Sequence, residues 1–258
     1  MIPTAGVVLN LDQIVQGCPA TELLYLREMD LQAGRAKVTR VVPDKSNHFY
    51  LVLDKSIFHP KGGGQPSDTG KLSGENFQVN VKKVIDHGGV LVYWVKVLTG
   101  TPVLGEVRCE VDFENRRLFS RRHSAAHLLD HCLSTITKGA VQTTDSWLGE
   151  DSYVGYKGKL PDPELLKDVE SMAKQMISNG AQITIKFLNR NEADELKNAP
   201  NFERLPHLSE LRIVTITGCG PIPCGGTHVS DISLIGELSL QKSLQIDDNG
   251  YRLYFAIS

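Results

Sequence analysis

Four side chains in this sequence have the types and spacing to hold one metal ion. His123 and His127 lie four residues apart, and so, much later in the chain, do Cys224 and His228. Imidazole nitrogen and thiolate sulfur suit Zn²⁺ well, and the same donors leave copper or iron open. On a helix, the first pair emerges from adjacent turns of one face. The second pair sits in Pro223-Cys224-Gly225-Gly226-Thr227-His228, where two glycines let the backbone fold so that thiolate and imidazole point at one ion. A purely structural zinc site more often uses closely set cysteine pairs, so this mixture leans towards catalysis. If all four bind, a tetrahedral ion is closed to water. Either the ion takes a fifth ligand, or His228 stands back as a general acid/base, or the ion mainly organises a pocket. His131 reads as a flanking residue, and Cys219 as a nearby or incidental thiol. With no Glu directly after His123, the HExxH pattern of a metallopeptidase is excluded.

Elements must deliver these residues. Asp112 is a suitable N-cap for a helix over 113–136, whose apolar residues Leu118, Ala125, Leu128, Leu129, Cys132 and Ile136 keep helical spacing. Gly139 is its expected stop. The same helix carries Arg116, Arg117, Arg121 and Arg122, which form either a solvated face or a local phosphate-contacting patch. Upstream, 36–42, 49–53, 77–85 and 90–97 are β-branched and aromatic with partial alternation, predicting a small β-barrel or sandwich. Between the second and third of these strands lies Ser56-Ile-Phe-His-Pro-Lys-Gly62-Gly63-Gly64-Gln65-Pro-Ser-Asp68. This is a functional loop rather than a phosphate-binding P-loop, because no Lys-Ser/Thr follows the glycines.

After the helix, 141–159 reads as a polar section. There follow a helix over 164–179, a strand over 182–188, a short helix over 189–197, a strand over 211–217 running into the Cys224 turn, and two closing strands, 237–243 and 251–257, around Asp248 to Gly250. The fold class is therefore α+β, with a β-rich domain over 1–111 carrying the Gly-rich loop and an α+β domain over 112–258 carrying the metal site.

Composition bounds the reading. The formal net charge of −2 over 258 residues gives no global attraction for nucleic acid, so any polyanion site is a local patch. No apolar run reaches the roughly 18 residues of a membrane span, and no cationic start precedes a long apolar region as in a signal peptide. Five scattered cysteines fit a reducing compartment, and so a cytoplasmic location.

Taken together, the FHPKGGGQPSDTG loop, HSAAH on a helix after an arginine-rich turn, and CGGTH before Ile235-Gly236-Glu237 resemble the editing region of alanyl-tRNA synthetase. They are more similar still to its free-standing relatives, the medium-length AlaX alanyl-tRNA editing proteins. The resemblance spans nearly the whole chain. It implies a trans-editing hydrolase that deacylates mischarged tRNA(Ala), chiefly Ser-tRNA(Ala) and also Gly-tRNA(Ala). Alternatives are a threonyl-type editing module and a non-catalytic zinc-stabilised tRNA-binding protein. It further implies one Zn²⁺ held by His123, His127, Cys224 and His228, with Gln142 near a pocket glutamine of the family. Ser56 falls where the family often has a serine-discriminating threonine. Gly62, Gly63, Gly64, Gln65, Asp68 and Thr227 would line the substrate, and Arg116, Arg117, Arg121, Arg122, Lys157 and Lys159 would contact tRNA. Where the family often has a glutamate before the glycines, this chain has Lys61, which removes a catalytic carboxylate from that place. The chain would act as a monomer or homodimer, away from membranes.

Overall fold

The structure is a computed structural model and describes residues 10–139, 141–189, 210–247 and 250–258. The chain divides into two compact units. One comprises residues 1–61 and 67–116, the other residues 62–66 and 117–258.

The first unit begins with α1 (Leu11–Val15), closed at its start by a capping box between Asn10 and Gln13. Next come β1 (Glu22–Leu23) and a 3-10 turn over Leu24–Leu26, then β2 (Ala33–Pro43), β3 (His48–Leu53), β4 (Lys55–Ser56), β5 (Gly70–Ser73), β6 (Gln78–His87), β7 (Val90–Thr99) and β8 (Gly105–Val111). Six of these strands close a barrel in the order β2-β3-β7-β6-β5-β8, with β8 returning to pair β2, while β1 and β4 form a small parallel pair. Closure leaves none of the six as an open edge. Alternate residues point inward, so Val38, Leu51, Leu53, Leu72, Val79, Val81, Leu91, Tyr93 and Val95 fill the interior. Strands β5 and β8 were not separately legible: Gly70–Ser73 is short, and β8 alternates Arg108 and Glu110 with its inward residues.

The core of the second unit is α2 (Phe113–Thr137), which starts in the first unit and passes into the second after Arg116. Asp112 caps it, accepting from Asn115 N at 3.3 Å. The expected stop is off by one residue, because Lys138 rather than Gly139 takes the left-handed conformation, with φ +54. Ser134 helps hold that turn, its hydroxyl donating to the Gly139 carbonyl at 2.6 Å. The polar section over 141–159 is in fact the hairpin β9 (Thr143–Trp147) and β10 (Tyr153–Lys157). Polar outward residues hid it: Val154 and Tyr156 face the core while Tyr153 and Lys157 do not. Then come α3 (Pro163–Asn179), β11 (Ile183–Asn189), β12 (Glu210–Ile216), β13 (Ile222–Pro223), a 3-10 turn over Ile232–Ile235, β14 (Leu238–Asp247) and β15 (Gly250–Ile257).

One sheet runs β14-β15-β10-β9 and another β11-β12-β13. Ala125, Leu128, Leu129, Cys132 and Leu133 of α2 pack with Val169 and Ala173 of α3 and with Val154, Tyr156, Leu253 and Phe255 of the larger sheet. Helices and strands without regular alternation make the chain α+β. The helix expected over 189–197 lies outside the described residues from 190 onward, as do Asp248 and Asn249 of the expected closing turn. Among the described residues, no helix is long and apolar enough to cross a membrane.

Candidate metal centre

One face of α2 is buried throughout and delivers His123 and His127, 5% and 9% exposed, into the second unit. The other two donors arrive on the turn after β13. Arg212 on β12 sets that turn, donating from Nη1 to the carbonyls of Cys224 (2.6 Å) and Gly226 (3.0 Å), while Cys224 N donates to Arg212 O (3.0 Å). Gly226 is required by contact: a Cβ there would stand 2.0 Å from Cε1 of His123. The outcome is that one donor atom from each of His123, His127, Cys224 and His228 lies within 4.8 Å of every other.

Hydrogen bonds decide which nitrogen His123 and His228 present. A backbone N–H can only donate, so the Gln65 amide atom 3.1 Å from Thr227 N is the carbonyl Oε1. The same Oε1 is 2.9 Å from His123 Nδ1, which must therefore carry the proton. At His228, Ser124 Oγ spends its one hydrogen on the Ser120 carbonyl (2.9 Å) and accepts from Val229 N (3.2 Å). Towards His228 Nδ1, 3.2 Å away, it can only accept again. Both rings are thus held with Nε2 turned inward, the arrangement by which an outer shell orients metal ligands. Each Nε2 lies 3.4 Å from Cys224 Sγ. Ordinary Zn–N and Zn–S lengths on a tetrahedral ion place N and S about 3.5 Å apart, so the donor set fits such an ion in type, number and spacing.

Protonation agrees with that fit. Burial, with Arg212 adding to it, lowers His127 to about 4, leaving a neutral imidazole able to ligate at neutral pH. Burial pushes the Cys224 thiol up, while the Gly226 N–H and Arg212 pull it back towards thiolate. Gly226 N is 3.3 Å from the sulfur.

The glycine loop joins this unit through residues 62–66. Gly62 and Gln65 exchange backbone hydrogen bonds at 3.1 and 2.9 Å, and the Gly64 carbonyl accepts from Leu148 N at 2.9 Å. Gly64 has φ +78, and a Cβ on it would stand 2.1 Å from Ser146 Oγ, so the close approach demands glycine. Beside the cluster, a cavity of ≈ 230 Å³ includes His127 in its wall, together with Asp130, His131, Ser134, Cys219 and apolar residues of β12 and β13.

Several expected roles change. Gln65 and Thr227, both 0% exposed, support ligands instead of lining a substrate: Gln65 Nε2 donates to Thr227 Oγ1 (3.0 Å), which also accepts from Ser120 (2.7 Å). Asp68 is buried in the first unit, where Arg116 Nε is 2.9 Å from both its oxygens and His59 N donates to it at 2.6 Å. Ser56 is equally committed. Its hydroxyl donates to Phe58 O (2.9 Å) and accepts from Phe58 N (3.0 Å) and Tyr93 OH (2.5 Å), leaving no capacity to read a substrate.

Three of the four arginines are engaged by backbone carbonyls or a carboxylate. Arg116 is 1% exposed and also donates to the carbonyls of Met29 and Ile57. Arg121 holds the Ile235 and Ser258 carbonyls, and Arg122 that of Gly149. Arg117, Lys157 and Lys159 are exposed. Gln142 is exposed at the entry to β9, where its carbonyl accepts from Lys157 N, and its described contacts do not reach the four donors. Sequence reading missed Ser124 and Arg212. Ser124 sits inside HSAAH, one residue after a ligand, and that position was its available signal.

Comparison with known proteins follows the two units. Residues 22–115 match the family described as tRNA synthetases class II (A). Residues 211–254 match the one described as threonyl and alanyl tRNA synthetase second additional domain. An alanine–tRNA ligase of Methanococcus vannielii is 31% identical over 247 residues, covering 92% of this chain and 26% of the ligase. The chain thus spans about a quarter of the ligases it matches. By contrast, the alanyl-tRNA editing protein AlaX-M of Methanosarcina acetivorans is 30% identical over 250 residues, covering 92% of this chain and 99% of that protein. The AlaX-M of Methanosarcina barkeri is 29% identical with the same coverage.

Proposed function

We propose, for a chain that belongs to the AlaX-M family of alanyl-tRNA editing proteins, that it hydrolyses the ester joining a wrongly attached amino acid to tRNA(Ala). The substrate is chiefly Ser-tRNA(Ala), with Gly-tRNA(Ala) beside it. The reaction adds water across the ester, breaking the bond between the acyl carbon and the ribose oxygen. It releases the amino acid and restores the ribose hydroxyl. The observation that carries this reading is the donor cluster, whose inward nitrogens and sulfur share one centre and whose His127 also walls a cavity of small-molecule size.

A Zn²⁺ bound by His123, His127, Cys224 and His228 would supply positive charge near a polarised carbonyl and hold the pocket in shape. The residues do the rest. Gln65 and Ser124 keep the His123 and His228 rings in one tautomer, and Arg212 holds the Cys224 turn rigid. With Nδ1 of His228 committed to Ser124, His228 acts as a ligand and not as the acid/base. An aminoacyl ester is already activated, so positioning and charge stabilisation suffice. Discrimination rests on polar atoms that a seryl hydroxyl would satisfy and an alanyl methyl would leave unpaired. Ser134 and His131 line the cavity and are suited to that role. Exposed Arg117, Lys157 and Lys159 are suited to tRNA phosphates.

The test is a deacylation time course on tRNA(Ala) carrying serine, glycine or alanine, with and without chelator. Fast release of serine, little release of alanine and loss of activity with chelator are expected. Equal release of serine and alanine overturns the specificity. Because the matched additional domain is named for threonyl as well as alanyl synthetases, Ser-tRNA(Thr) belongs in the same assay. Faster cleavage there would reassign the tRNA.

A further inference from the structure

Asp130 is a half-buried carboxyl that none of the roles above uses. It lies three residues beyond His127 on α2, so both side chains emerge on the same side of the helix. Both line the ≈ 230 Å³ cavity. Tyr156, 1% exposed on β10, donates its hydroxyl to Asp130 Oδ1 at 2.6 Å. That bond fixes the orientation of the carboxyl without placing a positive charge beside it.

The rest of the wall does not neutralise it either. Val141, Val214, Ile216 and Ile222 are apolar, and no Lys or Arg lines the cavity among the described residues. A carboxyl so placed is raised to about 7 by burial, against the pull of the Tyr156 hydroxyl. A cation entering the cavity would stabilise its anionic form. Aminoacyl esters bring one: whatever the side chain, an amine sits on the carbon next to the carbonyl to be attacked.

We propose that Asp130 receives the α-ammonium group of the aminoacyl moiety in the cavity beside His127, fixing the ester's orientation relative to the donor cluster. This rests on the deacylase reading above. It makes Asp130 a substrate-binding residue that accepts any α-amino acid, while selection among side chains falls to other parts of the wall.

The test compares Ser-tRNA(Ala) with the same ester after its amine has been replaced by a hydroxyl, which keeps the size and removes the charge. Asp130→Asn retains an oxygen for Tyr156 and removes the negative charge. Loss of one charge-assisted hydrogen bond lowers kcat/KM for the aminoacyl ester by about 10- to 100-fold, with little change for the hydroxyacyl ester. Asp130→Ser, smaller and still able to accept from Tyr156, shows the same selective loss should the amide disturb folding. An equal fall on both esters makes Asp130 a structural strut, and no fall on either makes it irrelevant to binding. Both results overturn the proposal. If the wild-type protein cleaves neither ester, the deacylase reading itself fails and takes this one with it.

Discussion

Both units bury polar side chains, and the difference between the two clusters separates scaffold from site. In the barrel unit, the buried Asp68 and Ser56 turn towards partners: Asp68 towards Arg116 and the His59 N–H, and Ser56 towards Tyr93 and both backbone atoms of Phe58. Burial raises Asp68, and the hydrogen-bonded guanidinium pulls it back down. That network is saturated and anchors the first turn of α2 within its own unit. In the second unit, the partners of His123 and His228 are placed on the outer side of those rings. Gln65 and Ser124 take the Nδ1 atoms, so the Nε2 atoms and Cys224 Sγ converge on one another. Crowding of like donors is unfavourable unless something electropositive joins them, which is the physical mark of a ligand site. Sequence spacing exposed the metal donors but not the barrel network, whose Ser56, Asp68 and Arg116 read as separate binding residues.

Substitutions can break this contrast. Cys224→Ala should have the largest effect on function, abolishing deacylation (about 100-fold or more) together with metal stoichiometry measured by atomic absorption. Full activity with no bound metal would dissolve the distinction. Arg116→Met should act oppositely, on stability alone. Leaving Asp68 buried and unpaired costs about 3–5 kcal/mol in denaturant unfolding, while the metal content of the folded protein stays unchanged.

Gln65→Ala loosens His123 without removing a ligand and should weaken metal affinity about 10- to 100-fold in a competition titration. An unchanged affinity would show that the outer partner is incidental. The smallest effect is expected from Lys157→Ala. It should lower tRNA affinity modestly and reduce the slope of log affinity against log salt by about 1, whereas Arg122→Ala, removing an internal strut, should leave that slope alone.

The fold was legible where burial imposes a period. The strands at 49–53 and 90–97 and the helix from 113 carry long apolar or alternating patterns, and each formed within a residue or two of its expected bounds. It was not legible in β9 and β10, whose outer residues Asp145, Tyr153 and Lys157 are polar or amphipathic enough to look like loop. Spacing also exposed the ligands, because His123 and His127 must share a helical face and Cys224-Gly-Gly-Thr-His228 must fold back on itself.

What the sequence could not carry is direction. Four arginines on one helix are chemically alike, yet burial at Arg116 and carbonyl partners at Arg121 and Arg122 make them struts, leaving Arg117 outward. Gln65 and Asp68 are three residues apart in one loop, yet one supports a histidine and the other pairs with an arginine. Residue type and spacing determined which chemistry this protein holds, since donor softness and helical period are local properties. Only the tertiary structure decided which atom each donor presents and which charged groups remain available, because those depend on neighbours distant in the chain.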